Sequence, residues 1–421
     1  MPGSTMLKNY LKIAFRVLLR RKFFTFVSLF AISFTLVVLM VAASVLDHAL
    51  GPHEPEPKFD RTLNVMFQRM EGSQGRSTSQ GSGFGFLDKY ARGLPRVEQV
   101  SIIEQFSFLD AYHNGGKIRV ALKRTDGEFW RIYNFRFLEG GPISDEDDRR
   151  ANFVAVINRA TREKFFDDQP AAGKSIEVDG QRFRIIGVVE NVPLLRFLPY
   201  ADVWAPISTT RNDNYRRQIR GQYQAALVAR DRADFAAIKS AYVARLAGFE
   251  AVDEFDNNTR FTSVVSEPET PFEFLSRMFH PDNNQNHPRV FLAILLSLAA
   301  LFMVLPAVNL VNLNISRILE RAGEIGVRKA FGASSWTLTL QFVIENVVLT
   351  LLGGVIGFAL SLWVLRVIEQ SGLIPYARFG FNYRIFLYGL SLALFFGLFS
   401  GAWPAWRMSR LHPVEALKGR A

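Results

Sequence analysis

The sequence contains no cysteine, which excludes disulfides, thiolate metal sites and thiol catalysis. Histidine is scarce: His48, His53, His113, His280, His287 and His412 are the only six, and none falls in an HExxH spacing. No Gly-x-Ser-x-Gly elbow occurs either. Gly173-Lys174-Ser175 has the ending of a phosphate-binding loop, but Asp168 stands where that loop needs glycine, and the segment leads into a strand rather than a helix. The acidic run Asp145 to Asp148 is followed directly by two arginines and reads as a solvated turn, not a cation site. Metalloprotease, serine-hydrolase and nucleotide-hydrolysing readings therefore have no residues to stand on. The expectation is no enzyme, and no catalytic, cofactor-binding or metal-binding residue on this chain.

Charge is missing from long stretches. Residues 23–46 carry no charge, glycine or proline, and at about 1.5 Å of rise per residue they reach about 36 Å, enough to cross a bilayer with tilt. A signal peptide has a shorter apolar region, about 7–15 residues, so a retained anchor is expected. Three further spans are expected at 289–313, 338–368 and 384–404, each bounded by charged or turn-forming residues. Four spans place both termini on one side.

The formal charge is +11 in 421 residues. Residues 47–288 hold 32 basic and 34 acidic side chains, so the excess lies around the apolar runs and not on the intervening domain. That distribution argues against nucleic acid and for membrane flanks. Lys8, Lys12, Arg16, Arg20, Arg21 and Lys22 precede the first span, and Arg317, Arg321, Arg328 and Lys329 lie between the second and third. Four more basic residues occupy 406–421, whereas the 369–383 connection holds only Arg378 within 369–382. By the positive-inside bias, 1–22, 314–337 and 405–421 are cytoplasmic and 47–288 and 369–383 external. Within 1–22, Leu7, Leu11, Ala14, Phe15 and Leu18 share one helical stripe and the basic residues another, which predicts an amphipathic helix along the inner membrane surface.

The fold class expected is four transmembrane helices with a mixed α/β extracytoplasmic domain inserted between the first two. In the insert, 153–157 reads as a strand, 159–166 as a helix and 174–190 as a hairpin turning at Asp179-Gly180. Residues 71–85 are rich in Gly, Ser and Gln and predict a mobile loop. Residues 232–247 have a helical period, and a second small lobe is expected around 195–265. Within the spans, Asn309, Asn312, Gln341, Glu345 and Asn346 should turn toward protein or water, and helix-to-helix hydrogen bonding is the favoured role for Glu345. Gly353 and Gly357 form a small-xxx-small pair, and Gly389, Ala393, Gly397 and Gly401 repeat every four residues, so the third and fourth spans are expected to pack closely together.

Residues 316–333 read as a short charged helix in which Glu320/Glu324 and Glu324/Arg328 are i,i+4 neighbours; Gly332 suits its stop, and Ser334 or Ser335 the next N-cap. The stretch GEIGVRKAFGAS (323–334) resembles the hallmark of FtsX-like permeases of the MacB type, membrane subunits of ABC systems. GLPRVEQVS (93–101), the block 153–193 ending GVVENVP, and PAWRMSRLHPVEALKGR (404–420) keep the order seen in that family. Gly323 and His412 depart from it, standing where a polar or charged residue and an acid are commoner.

The resemblance implies a bacterial inner-membrane permease that carries a separate ABC ATPase on Glu320, Arg321, Glu324, Ile325, Gly326, Arg328, Lys329 and Gly332. ATP and Mg would be bound by that partner and no cofactor by this chain. It further implies a second permease copy or homologue joined through the first two spans, contact with membrane lipid, and a periplasmic adaptor or target. The expected work is export of a peptide, antibiotic or lipid-linked substrate. The alternatives are transmembrane signalling without transport and an ATP-independent receptor or scaffold. A single cysteine within 71–85 is expected to react with an impermeant external reagent, and one at Gly323 to stay unlabelled in intact cells; the reverse pattern would invert the topology.

Overall fold

The computed structural model describes residues 3–409 except 21, 73–76, 114–115, 213, 253–259, 280–285, 321–322, 324–326, 328–330, 332–333 and 381–382. The helices in chain order are α1 (Gly3–Arg20), α2 (Lys22–Leu50), α3 (Phe84–Ala91), α4 (Phe129–Ile132), α5 (Asp145–Arg149), α6 (Arg159–Phe166), α7 (Phe235–Leu246), α8 (Pro271–Met278), α9 (Pro288–Glu320), α10 (Ser335–Ser371) and α11 (Tyr383–Ser409). The strands are β1 (Thr62–Val65), β2 (Gln68–Gly72), β3 (Ser77–Gln80), β4 (Val97–Glu104), β5 (Ser107–His113), β6 (Gly116–Thr125), β7 (Phe137–Gly140), β8 (Val154–Asn158), β9 (Ser175–Val178), β10 (Gln181–Val189), β11 (Val203–Pro206), β12 (Tyr223–Ala229), β13 (Ala251–Val252) and β14 (Arg260–Val265). Two compact units result: a helical one of Met1–Asp47, Leu292–Leu373 and Phe379–Ala421, and a larger one of His48–Phe291 with Ile374–Arg378.

The helical unit is all α. Lys22–Leu50 and Thr339–Ser371 are long and apolar enough to cross a membrane, while the apolar stretches Pro288–Phe302 and Phe386–Phe395 are shorter. The count of four spans is thus not established by helix length. The amphipathic reading of residues 1–22 corresponds to α1: Ala14 and Leu18 are buried with Ile32, Leu36, Val348 and Leu349, while Lys12, Arg16 and Arg20 stay exposed. Phe15, expected on the apolar stripe, is 48% exposed.

The larger unit is built on a ten-stranded mixed sheet in the order β1-β12-β4-β6-β11-β8-β10-β9-β5, with β7 added on β10. Side chains alternate across it. Ala121, Val154, Val156 and Trp204 pack on one face, and Val120, Leu122, Ala155, Ile157, Val203 and Ala205 on the other, so both faces are covered. The hairpin at Asp179-Gly180 joins β9 and β10, and both turn residues have positive φ, 56° and 62°, as a type I′ turn requires. The acidic run is the short helix α5, capped by Ser144 and Asp147 reciprocally, with Asp145 paired to Arg131 at 2.8 Å. Among the described residues no cluster of acids and histidines could hold a metal.

Two expectations fail. Residues 71–85 are not a loop throughout: β3 pairs with β2 in a second, four-stranded sheet ordered β13-β14-β2-β3. Beyond β3 the chain lies on the backbone of 216–222, with Gly83 N donating to Ile219 O at 3.0 Å and Tyr223 N to Ser82 O at 2.9 Å. Glycine permits that approach, since a Cβ on Gly81, Gly83 or Gly85 would meet a carbonyl oxygen at 2.5, 2.1 or 2.6 Å. The separate lobe at 195–265 also fails, because β11 and β12 belong to the main sheet, inserted between or beside strands from the first half of the insert. Gly83→Ala is expected to destabilise the larger unit by about 1–3 kcal/mol through this overlap, with Gly141→Ala, where nothing lies within 4 Å, close to neutral; thermal unfolding of the purified protein checks both.

Candidate functional site

The resemblance places the partner contact on residues 320–332. Arg321, Glu324, Ile325, Gly326, Arg328, Lys329 and Gly332 lie outside the described residues, as does the side chain of Glu320, the last residue of α9. On the far side, Ser334 caps α10: it is extended (φ −71°, ψ 149°) and its Oγ accepts from Thr337 N at 3.2 Å.

The small residues set how the helices approach. A Cβ on Gly353 would lie 2.8 Å from Ile32 Cγ2, and one on Gly357 3.1 Å from Leu36 Cβ, so this pair receives α2 rather than the last helix. Gly389 also faces Leu36, at 3.3 Å, and Ala393 packs on the same cluster. The contact between α10 and α11 runs instead through Gly354, where a Cβ would meet Leu390 at 2.7 Å, and through Phe358 and Phe386, whose rings sit edge to face at 5.1 Å. The physical reason is rotational: Gly353 and Gly354 are adjacent and point about 100° apart on the helix, toward two different neighbours. The packing of Gly397 and Gly401 lies outside the described residues. Gln341 donates to Glu345 at 3.0 Å, and both are buried.

In the larger unit a polar junction that joins distant segments forms around Asp202, a buried carboxylate just before β11. Its Oδ2 accepts from Ala121 N of β6 at 2.8 Å, and its Oδ1 accepts from Asn158 Nδ2 at the end of β8 at 2.8 Å and from the Tyr376 hydroxyl at 2.6 Å. The Asp202 backbone also pairs with both strands, donating to Ala121 O at 2.8 Å and accepting from Asn158 N at 2.9 Å. Asn158 in turn caps α6, accepting from Thr161 N at 2.8 Å.

Tyr376 is the centre of Ile374–Arg378, the part of the α10–α11 connection that belongs to this unit. It has positive φ, 58°, a strained choice for a bulky residue, held by a bond from Leu194 N to Pro375 O at 3.0 Å and by the Tyr200 ring at 6.3 Å. Burial, and then the Asp202 charge, raise the Tyr376 hydroxyl well above the ordinary tyrosine range, so it stays a donor.

Sequence reasoning missed this junction. The one available signal was a lone carboxylate, Asp202, between Ala201 and Val203 in an otherwise apolar run; nothing local marked Tyr376 as its partner.

Residues 25–244 match the family description "MacB-like periplasmic core domain" and residues 296–413 "FtsX-like permease C-terminal". The uncharacterized ABC transporter permease YknZ of Bacillus subtilis is 23% identical over 332 residues, 78% of this chain and 77% of that protein. The macrolide export ATP-binding/permease protein MacB of Pasteurella multocida is 26% identical over 332 residues, 78% of this chain but 46% of that protein, so the chain spans less than half the length of this relative. Among solved structures, a permease-protein domain from Porphyromonas gingivalis covers 52% of this chain and 92% of its own, at 14% identity and a TM-score of 0.42.

Tyr376→Phe is expected to cost the larger unit about 1.5–3 kcal/mol by removing a hydrogen bond to a buried charge, and Asp202→Ala more, because it strands several donors at once. Thermal unfolding followed by near-ultraviolet circular dichroism reads both.

Proposed function

Because this chain belongs to the family of FtsX-like ABC transporter permeases with a MacB-like periplasmic core domain, we propose that it converts ATP hydrolysis on a partner chain into movement of its larger unit. The carrying observation is the anchoring of Ile374–Arg378. The chain enters the larger unit at His48 in the last turn of α2 and leaves it at Phe291 in the first turn of α9, and the α10–α11 connection is pinned into it at Asp202 as a third attachment. In this reading the three attachments are the route by which a rearrangement of the helices reaches the larger unit.

In this reading all four apolar helices span the inner membrane, both termini are cytoplasmic and the larger unit is periplasmic, in keeping with the basic flanks. The 314–337 segment receives the ATPase through Glu320, Glu324, Arg328 and their neighbours. A separate ATPase chain is supported by YknZ, which is named a permease and of which this chain covers 77%. Two permease copies meet through α2 and α9. The exposed row Phe26, Phe30 and Phe34, stacked at centroid distances of 6.3 and 5.7 Å, supports α2 as a free face, since its opposite face is already used by α10. The work done is export of a peptide, antibiotic or lipid-linked molecule.

The test is ATP hydrolysis by the partner ATPase, with and without this chain, in lipid nanodiscs. Glu324→Lys and Arg328→Glu are expected to abolish stimulation by the permease, while the larger unit keeps its unfolding temperature. Stimulation equal to wild type in both variants would remove the proposed contact.

A further inference from the structure

A groove of about 570 Å3 lies on the larger unit where the end of α2, the turn before β1, the start of α7 and the start of α8 meet. Leu50, Phe59, Phe235, Phe272 and Pro288 are among its apolar lining residues. Chain geometry sets its level. Leu50 ends α2 one helical turn past Leu46, the last residue of the uncharged run 23–46, a rise of about 6 Å, whereas the headgroup layer is about 5–8 Å deep on each side of the hydrocarbon. Pro288 opens α9 and directly precedes the expected span 289–313. At the same junction the Phe291 ring meets Phe272 at 5.5 Å and Phe279 at 5.7 Å, and Phe279 is 72% exposed, an apolar surface suited to lipid. This placement rests on α2 and α9 spanning the membrane, as proposed above.

The charges at the groove narrow the choice of ligand. β1 pairs with β12, Thr62 opposite Val228, so Asp60 just before β1 and Arg232 just after β12 leave the same end of the sheet, and both line the groove. Both are exposed, and among the described residues neither is in an ion pair. Their chain neighbours are taken: Arg61 pairs with Glu98 at 2.7 Å, and Asp234 with Arg96 at 2.7 Å. The third charged lining residue, Glu273, is held by Lys239 at 2.7 Å and accepts from Thr270 N at 2.7 Å. One carboxylate and one guanidinium are thus left to a ligand, and together they carry no net charge.

We infer that this groove holds the headgroup of a zwitterionic phospholipid with a primary ammonium, of the phosphatidylethanolamine class, from the leaflet next to the larger unit. The ammonium donates to the Asp60 carboxylate, the phosphate accepts from the Arg232 guanidinium, and the upper part of an acyl chain lies against Leu50 and Phe272. A lipid of net negative charge gains from Arg232 what it loses to Asp60, and a choline headgroup has no N–H to give. The lipid is a bound neighbour rather than cargo, so the site stands whether or not export is the work of the permease.

The experiment uses the full chain in phosphatidylcholine nanodiscs doped with phosphatidylethanolamine or, separately, phosphatidylglycerol, each with a diazirine near the carboxyl end of one acyl chain. Adducts after photolysis are mapped by peptide mass spectrometry and normalised to those on residues 23–46 of α2. Groove adducts are expected in 50–62, 232–235 and 270–273, with phosphatidylethanolamine ahead of phosphatidylglycerol by about three- to fivefold, the range of a partly exposed charge contact. Asp60→Lys is expected to invert that order, and Arg232→Glu to lower groove adducts from both lipids. Should either variant fail to fold, the wild-type preference decides alone. Equal groove labelling by the two lipids would overturn the headgroup site, and an unchanged ratio in folded Asp60→Lys would overturn its assignment to Asp60. Adducts on α2 without any in the groove would overturn the site and leave the spanning helices standing; no adducts on α2 would overturn the spanning reading and the site with it.

Discussion

The larger unit depends on one buried carboxylate. Asp202 sits where a bare charge would be costly, and three side-chain and main-chain donors from β6, β8 and the 374–378 segment converge on it. Because those donors come from chain positions more than 250 residues apart, no single segment can satisfy the carboxylate alone. The central strands must be in register, and the α10–α11 connection must be seated, before the charge is compensated. The same group therefore ties sheet assembly to the placement of the helix connection.

Elements whose determinants are local were legible in the sequence. The type I′ turn at Asp179-Gly180 fixes its own hairpin, the apolar run at 154–157 makes a strand buried on both faces, and Asn158 caps the helix that follows. Elements held by backbone contact were not. β3 and the glycines at 81, 83 and 85 bond through main-chain atoms, so the segment carries no apolar pattern, and its Gly/Ser composition imitates a flexible linker. β11 and β12 entered the central sheet from sequence that suggested another lobe, because pairing partners in a mixed sheet are chosen by faces buried far along the chain. Of the candidate site, the family hallmark was readable at 323–334 and the Asp202 junction was not, since a contact over 174 residues leaves no spacing to recognise.

The helical unit follows a different economy of space. Removing Cβ atoms at Gly353 and Gly357 lets α2 lie against α10, and the neighbouring Gly354 does the same for α11, so α10 serves as the common partner of both. Small-residue approach uses dispersion contacts rather than apolar burial, the term that survives in a solvent of lipid chains. The opposite face of α2 keeps its row of phenylalanines outward.

The two ends of the larger unit are stitched side by side. Asn64 and Glu269 exchange both main-chain hydrogen bonds at 2.8 Å, joining the strand that begins the unit to the segment that finishes it. An insert closed in this way is a cassette: the strand that opens it and the segment that ends it are bonded to each other inside the insert, whatever is folded between them. Exchange of one such cassette for another, by recombination or by design, asks the newcomer for the same closure of its own two ends and for a pocket that takes the strap at 374–378.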